Sequence, residues 1–255
     1  MSEASRELSF EVHGMCAEGR VPLLIMHGWG NTKETVRPLS DQLSSYTQTV
    51  AIDLPGHGQS AVPNSVWSMT DFSEAVAHFL EQRGLTKVDI VGHSFGGKTA
   101  IKFAAQFPDR VNKIVLIGAS GLRPTGSLKR RVRMLLLRWL RWGIRFKNTR
   151  WGERVYREWY IPRFASRDYL NAGPMRAIFV KTVNEELQEE LAALTVPVLL
   201  LWGSEDNESP VEVAHKMKGL IRNSRLIVLP GQGHHPFCGS GCSLVIRYIR
   251  DFLWD

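Results

Sequence analysis

Short apolar runs alternate along the chain with longer stretches of helical period, once between about residues 20 and 120 and again between about 190 and 255. An apolar run bounded by turn formers is the pattern of a strand buried on both faces, and such strands separated by amphipathic helices predict a parallel sheet covered by helices on both sides. The expected strands are Pro22 to Met26, Thr49 to Ile52, Lys87 to Val91, Lys113 to Ile117, Val198 to Trp202 and Arg225 to Leu229, with Leu8 to His13 as an antiparallel edge strand. One intervening helix is clear. Asp71 caps its start with Glu74 three residues on, and Phe72, Ala75, Val76, Phe79 and Leu80 form one apolar stripe that ends at Gly84. Further helices are expected at about 97–107, 211–219 and 243–253.

The rhythm breaks between about 121 and 185. That stretch has no convincing strand, opens on the turn-forming GLRPTGS and holds Trp139, Trp142, Trp151 and Trp159, four of the eight tryptophans. It reads as a helical insertion, so the organisation is a core in two parts, 1–120 and 186–255, around an insertion at 121–185. A helix at about 129–146 sets Arg131, Arg138, Arg141 and Arg145 on one face and Val132, Leu135, Leu136, Trp139 and Trp142 on the other.

Charge sharpens this division. The 255 residues carry 32 Lys and Arg against 25 Asp and Glu, a formal +7, yet residues 121–167 alone hold 14 basic and two acidic residues. The basicity therefore belongs to the insertion and the rest of the chain is mildly acidic. With 44% hydrophobic and 22% charged residues, disordered, collagenous and low-complexity readings are excluded. A chain of this length buries roughly three quarters of its unfolded surface, enough for a core without covalent staples. Three cysteines, Cys16, Cys238 and Cys242, make no disulfide framework. The polar start MSEASRELSF lacks the apolar stretch of a secretory signal, and no apolar run approaches the roughly 20 residues of a membrane span. A soluble, cytoplasmic protein is the expectation.

The most informative segment is VDIVGHSFGG, where an apolar run enters Gly92-His93-Ser94-Phe95-Gly96-Gly97 and leaves in a helical pattern. Strand, tight turn and helix are the context a nucleophile elbow demands. A serine hydroxyl is nearly inert at neutral pH and needs a base. The candidate base lies in LPGQGHHPF after the last expected strand, where His234 is favoured and His235 competes. A third group must hold the imidazole tautomer, and the chain order serine, acid, histidine places it between 94 and 234 at a strand end. LLLWGSEDNESP supplies Asp206, with Glu205 and Glu208 close enough to keep that assignment open. Gly118, Ala119 and Ser120 leave the end of the earlier strand without an acid. The developing oxyanion needs two N–H donors, expected from Phe95 and from Trp29 in His27-Gly28-Trp29-Gly30. Trp29, His93 and Trp139 are the expected substrate-binding side chains.

Taken together, the HGWG loop, DLPGHGQS at 53–60, the GHSFGG elbow, the WGSEDNESP loop and the PGQGHHPF loop resemble the α/β-hydrolase family in its own order, over nearly the whole chain outside the insertion. The resemblance implies an α/β-hydrolase fold: a mostly parallel eight-stranded sheet, a helical cap inserted after the sixth strand, and a triad of Ser94, Asp206 and His234 needing no metal or organic cofactor. Asp53 is then a turn and packing residue. The doubled histidine and the CGSGC that follows depart from the family pattern.

HHPFCGSGC also invites a zinc reading, but adjacent histidines point in different directions and Cys-x3-Cys has no second cluster. The expected function is a serine hydrolase cleaving a carboxylic ester, amide or thioester through an acyl-enzyme at Ser94. The runner-up is carbon–carbon cleavage of a vinylogous diketone acid: GASGLRP and the Arg-rich insertion resemble enzymes of that kind, although Phe95 stands where they more often have Met. A hydrolase-like binding protein with little or no turnover is the third reading. For the basic insertion, a lid with solvated charges competes with steering of an anionic substrate or acidic partner protein, and with docking on an anionic membrane. A nucleic-acid partner is disfavoured because no binding fold is recognised.

Overall fold

The computed structural model describes residues 7–16, 18–124, 154–160 and 166–255. Seven strands form one sheet: β1 (Phe10–His13), β2 (Leu23–Met26), β3 (Thr49–Ile52), β4 (Val88–His93), β5 (Val111–Ile117), β6 (Val198–Gly203) and β7 (Ser224–Leu229). Their spatial order is β1-β3-β2-β4-β5-β6-β7. β1 pairs antiparallel to β3, with Phe10 opposite Ile52, and every other pairing is parallel. The eight strands implied by resemblance are thus seven among the described residues, and the stretch expected as an insertion lies between β5 and β6. The edge strand is antiparallel as expected.

Period-two alternation explains the layers. Leu23 and Ile25 of β2 pack with Val91, Val115, Ile117, Leu199 and Leu201 on one face, whereas Leu24 and Met26 pack with Ile90, Ile114 and Leu116 on the other. The first face is covered by α1 (Arg37–Leu43) and by the C-terminal helix through Val245, Ile249 and Leu253. Phe72, Val76, Phe79 and Leu80 of α2 (Met69–Gln82) and Ala100, Ile101 and Phe103 of α3 (Phe95–Gln106) cover the second. Burial on both sides is why these strands read as unbroken apolar runs.

The cap of α2 differs from expectation. Ser68 is the N-cap and Asp71 the third helical residue, whose carboxylate accepts the Ser68 N–H at 2.7 Å in a capping box. α1, with the single 3₁₀ turn Lys33–Val36 before it, was not expected. Between β5 and β6 lie α4 (Arg167–Asn171), α5 (Arg176–Asn184) and α6 (Gln188–Ala193), and α7 (Val211–Leu220) and α8 (Cys242–Trp254) follow. The expected basic helix at 129–146 and Trp139 lie outside the described residues. No described helix is long and apolar enough to cross a membrane.

The chain runs from β2 outward to β3, then returns to β4 on the other side of β2. Loops leaving the carboxyl ends of adjacent β2 and β4 consequently diverge, and the crevice of an open α/β sheet forms at such a switch point. The HGWG loop leaves β2 there and Ser94 leaves β4.

Candidate active site

Ser94 stands between the last residue of β4 and the first of α3 with φ 50° and ψ −110°, the only non-glycine residue at positive φ among those described. Such a conformation costs on the order of 1–3 kcal/mol and persists only where the surroundings impose it. Here the Ser94 N–H donates to Ile117 O at 3.0 Å, and Ser94 O accepts from the N–H groups of Lys98 and Ser120 at 3.1 Å each. A Cβ at Gly96 would lie 2.3 Å from Met26 O, so only glycine lets the start of α3 press against the end of β2. The side chain of Ser94 stays partly exposed at the positive end of α3.

Asp206 and His234 meet from the loops after β6 and β7. Those loops are tied by Glu205 N–H to Gln232 O at 2.9 Å and by Gly231 N–H to Ser204 Oγ at 2.9 Å. Asp206 Oδ1 accepts the N–H groups of Glu208 at 2.9 Å and Ser209 at 2.8 Å, and Oδ2 lies 2.8 Å from His234 Nδ1. Of the three acids the sequence left open, Asp206 therefore holds Nδ1, Glu205 is exposed, and Glu208 approaches the other side of the ring, its Oε2 3.5 Å from Nε2. Among the described residues, no hydrogen bond joins Ser94 Oγ to the ring; such contacts are often loose before substrate binds. Gly118 explains the missing acid after β5: a Cβ there would lie 3.1 Å from both Asp206 Oδ2 and His234 Nδ1.

Burial alone would lower the His234 pKa, but the hydrogen bond and charge of Asp206, with the charges of Glu208 and Asp168, outweigh it and raise the pKa above its ordinary value. Asp168 belongs to α4, so the insertion contributes a charge to the site. Burial and the Glu208 charge raise the Asp168 carboxyl in turn. His235 is shifted the other way, by burial and then by the neighbouring His234. The two adjacent histidines are thus chemically distinct.

The HGWG loop turns tightly, with Asn31 N–H donating to Gly28 O at 3.2 Å. Its Trp29 ring meets Phe95 edge-on at 5.0 Å, His57 edge-on at 4.8 Å and Phe179 of α5 at 5.0 Å. His57 and Phe179 were missed in the sequence because nothing local marks them as neighbours of the elbow. His27 is fully buried; Nε2 accepts the Leu54 N–H at 3.0 Å, so Nδ1 carries the hydrogen and donates to Gly28 O at 2.7 Å. Burial holds its pKa down at about 4. Asp53 accepts from Lys33 N–H at 2.7 Å, Lys33 Nζ at 2.9 Å and Gln59 N–H at 3.0 Å, joining two loops as the packing residue expected.

His93 is placed differently from expectation. It is 1% exposed, beneath the site instead of lining it, and its Nε2 lies 2.9 Å from His234 O. Alternation along β4 assigns it to the face of Val91, under α8. Cys16, Cys238 and Cys242 are free thiols, and no group of three or more His, Cys, Asp or Glu among the described residues is arranged to hold a metal ion.

Comparison with known proteins agrees with this architecture. The model of the alpha/beta hydrolase family matches residues 23–237. The pimeloyl-[acyl-carrier protein] methyl ester esterase of Aliivibrio salmonicida is 28% identical over 245 residues, covering 89% of this chain and 90% of that one. A thermophilic esterase from Thermogutta terrifontis superposes with a TM-score of 0.70 at 25% identity, covering 96% of this chain and 92% of that one. A meta-cleavage product hydrolase from Pseudomonas fluorescens superposes with a TM-score of 0.69 at 21% identity over 96% and 94% of the two chains, a likeness of fold. With most of the chain matched and the sheet, elbow and loop order in agreement, the protein belongs to the alpha/beta hydrolase family.

Proposed function

We propose that the chain is a serine esterase that hydrolyses carboxylic esters through an acyl-enzyme at Ser94. The observation that carries this reading is the 2.8 Å contact between Asp206 Oδ2 and His234 Nδ1, at the same sheet edge as a serine held at positive φ after β4. Asp206 fixes the tautomer in which Nε2 bears a lone pair. Ser94 Oγ attacks the ester carbonyl carbon as its proton passes to Nε2, and the N–H groups of Phe95 and Trp29 receive the oxyanion. The tetrahedral species expels the alkoxide, which takes the proton from Nε2. Water then attacks the acyl-enzyme with Nε2 as base, releasing the acid and restoring Ser94.

Two features support an acyl group delivered by an anionic substrate or acidic partner: the 14 basic residues against two acidic ones over 121–167, and the relative whose substrate is carried on an acyl-carrier protein. Trp29, Phe95 and Phe179 support an apolar acyl wall.

Chromogenic esters of graded acyl length, assayed beside a ring-fission diketone acid, test this. The expected result is ester turnover that Ser94→Ala abolishes without loss of fold. Diketone cleavage alone would assign the carbon–carbon chemistry, and no turnover of either would favour a binding protein.

A further inference from the structure

We propose that His93 is a positioning residue that ties the His234 loop to the elbow, so that the loops carrying Ser94 and His234 meet in register. The inference rests on the esterase reading, because the register matters for proton transfer between Ser94 and His234.

The side chain of His93 is buried at the end of β4, immediately before Ser94. Its Nε2 lies 2.9 Å from the main-chain oxygen of His234. A carbonyl only accepts, so Nε2 carries the hydrogen and Nδ1 bears a lone pair. That Nδ1 is buried without a hydrogen-bond partner. It faces the HGWG loop: a Cβ at Gly28 would lie 3.0 Å from Nδ1 and 3.2 Å from Ser94 Cβ. The ring packs 4.8 Å from that of His234, 4.6 Å from that of His235 and edge-on at 5.0 Å to Phe237.

A volume-filling role does not account for these contacts. An apolar ring would occupy the space without burying an unpaired nitrogen, which is destabilising. What imidazole adds is one directed donor on the carbonyl of the residue that must act as base. Holding that carbonyl fixes the point from which the His234 ring swings, and displacement of a reacting group by about 1 Å costs on the order of 10²-fold in rate. The ring also has to stay uncharged. Burial and the adjacent His234, His235 and His27 hold its pKa well below the ordinary value, so no second cation stands beside His234 when it takes the serine proton.

Two variants separate donor from shape. His93→Gln keeps an N–H able to reach the His234 carbonyl, and His93→Phe keeps the ring volume without a donor. On a neutral chromogenic ester, His93→Phe is expected to lower kcat by about 10- to 100-fold with KM nearly unchanged, and His93→Gln to restore most of it. Two-dimensional NMR gives a readout independent of turnover: the low-field proton shared by His234 Nδ1 and Asp206 should persist in His93→Gln and broaden or vanish in His93→Phe. Equal kcat and an unaltered proton signal in folded His93→Phe would overturn the proposal, as would equal loss in both variants. If His93→Phe does not fold, failure of His93→Gln to retain both signals overturns it. If wild-type protein hydrolyses no ester, the esterase reading fails, and the proton signal still decides whether His93 holds the loop.

Discussion

Glu208 Oε2 lies 3.5 Å from His234 Nε2, opposite the ring nitrogen that Asp206 holds at 2.8 Å. The ring is thus flanked by carboxylates on both nitrogens, one buried and one 66% exposed, a setting that favours the imidazolium.

The pH profile follows. The base must be neutral to accept the Ser94 proton, and its pKa is raised, so the acid limb of kcat/KM should lie above the ordinary histidine value of 6.5. Glu208→Gln removes a charge that favours the protonated ring. It should move the acid limb to lower pH and raise kcat/KM at pH 6 by about two- to fivefold, within the range of an exposed ion pair. A limb that stays in place would show that Glu208 does not reach the ring in solution.

Asp206→Asn retains the oxygen that accepts the Glu208 and Ser209 N–H groups, so the loop should fold unchanged. The amide NH2 then faces His234 Nδ1 and donates to it, placing the ring proton on Nε2, and kcat should fall by about 10⁴-fold with little change in KM. Steady-state kinetics with a thermal melt check both halves.

Gly118→Ala tests why no acid follows β5. Gly118 has φ +52°, and an added Cβ would press on both Asp206 Oδ2 and His234 Nδ1 at 3.1 Å. A kcat loss of about tenfold or more is expected, with stability lowered by about 1–2 kcal/mol from the left-handed backbone. Unchanged kcat would mean that the pair gives way without consequence.

Asp89 predicts a stabilising substitution far from chemistry. Burial raises its carboxyl to about 6, although Oδ1 accepts from Asn112 Nδ2 at 2.8 Å and Lys113 N–H at 3.0 Å. An acid whose folded pKa exceeds its unfolded one loses stability as pH rises from about 4 to about 6. Asp89→Asn keeps the accepting oxygen and should add up to about 3 kcal/mol at pH 7.5, with little gain at pH 3.5 and unaltered kcat. Denaturant melts at the two pH values measure the difference.

Much of this architecture was legible beforehand because a strand buried on both faces is an apolar run whatever its neighbours, as in Leu23–Met26 and Val198–Gly203. α1 was not, since Arg37–Leu43 has only Leu39 and Leu43 as buried apolar positions, too few to set a period. The loops that carry Ser94, Asp206 and His234 were found because each directly follows a strand. Which of Asp206, Glu205 and Glu208 meets Nδ1 depends on loop geometry that spacing does not encode. Its place in the elbow motif suggests a substrate-lining role for His93, whereas alternation with Val91 along β4 puts it beneath the site. Phe179 and Asp168 come from the insertion, whose approach to the site only tertiary packing reveals.

The most direct test of the central claim is the mass of the intact protein after brief exposure to a fluorophosphonate, with the modified peptide mapped. A single adduct on Ser94, absent in Ser94→Ala and formed at least about 10³-fold more slowly in His234→Ala, is the predicted result. Modification that His234→Ala leaves equally fast, or no adduct on Ser94 in folded wild-type protein, would contradict the account.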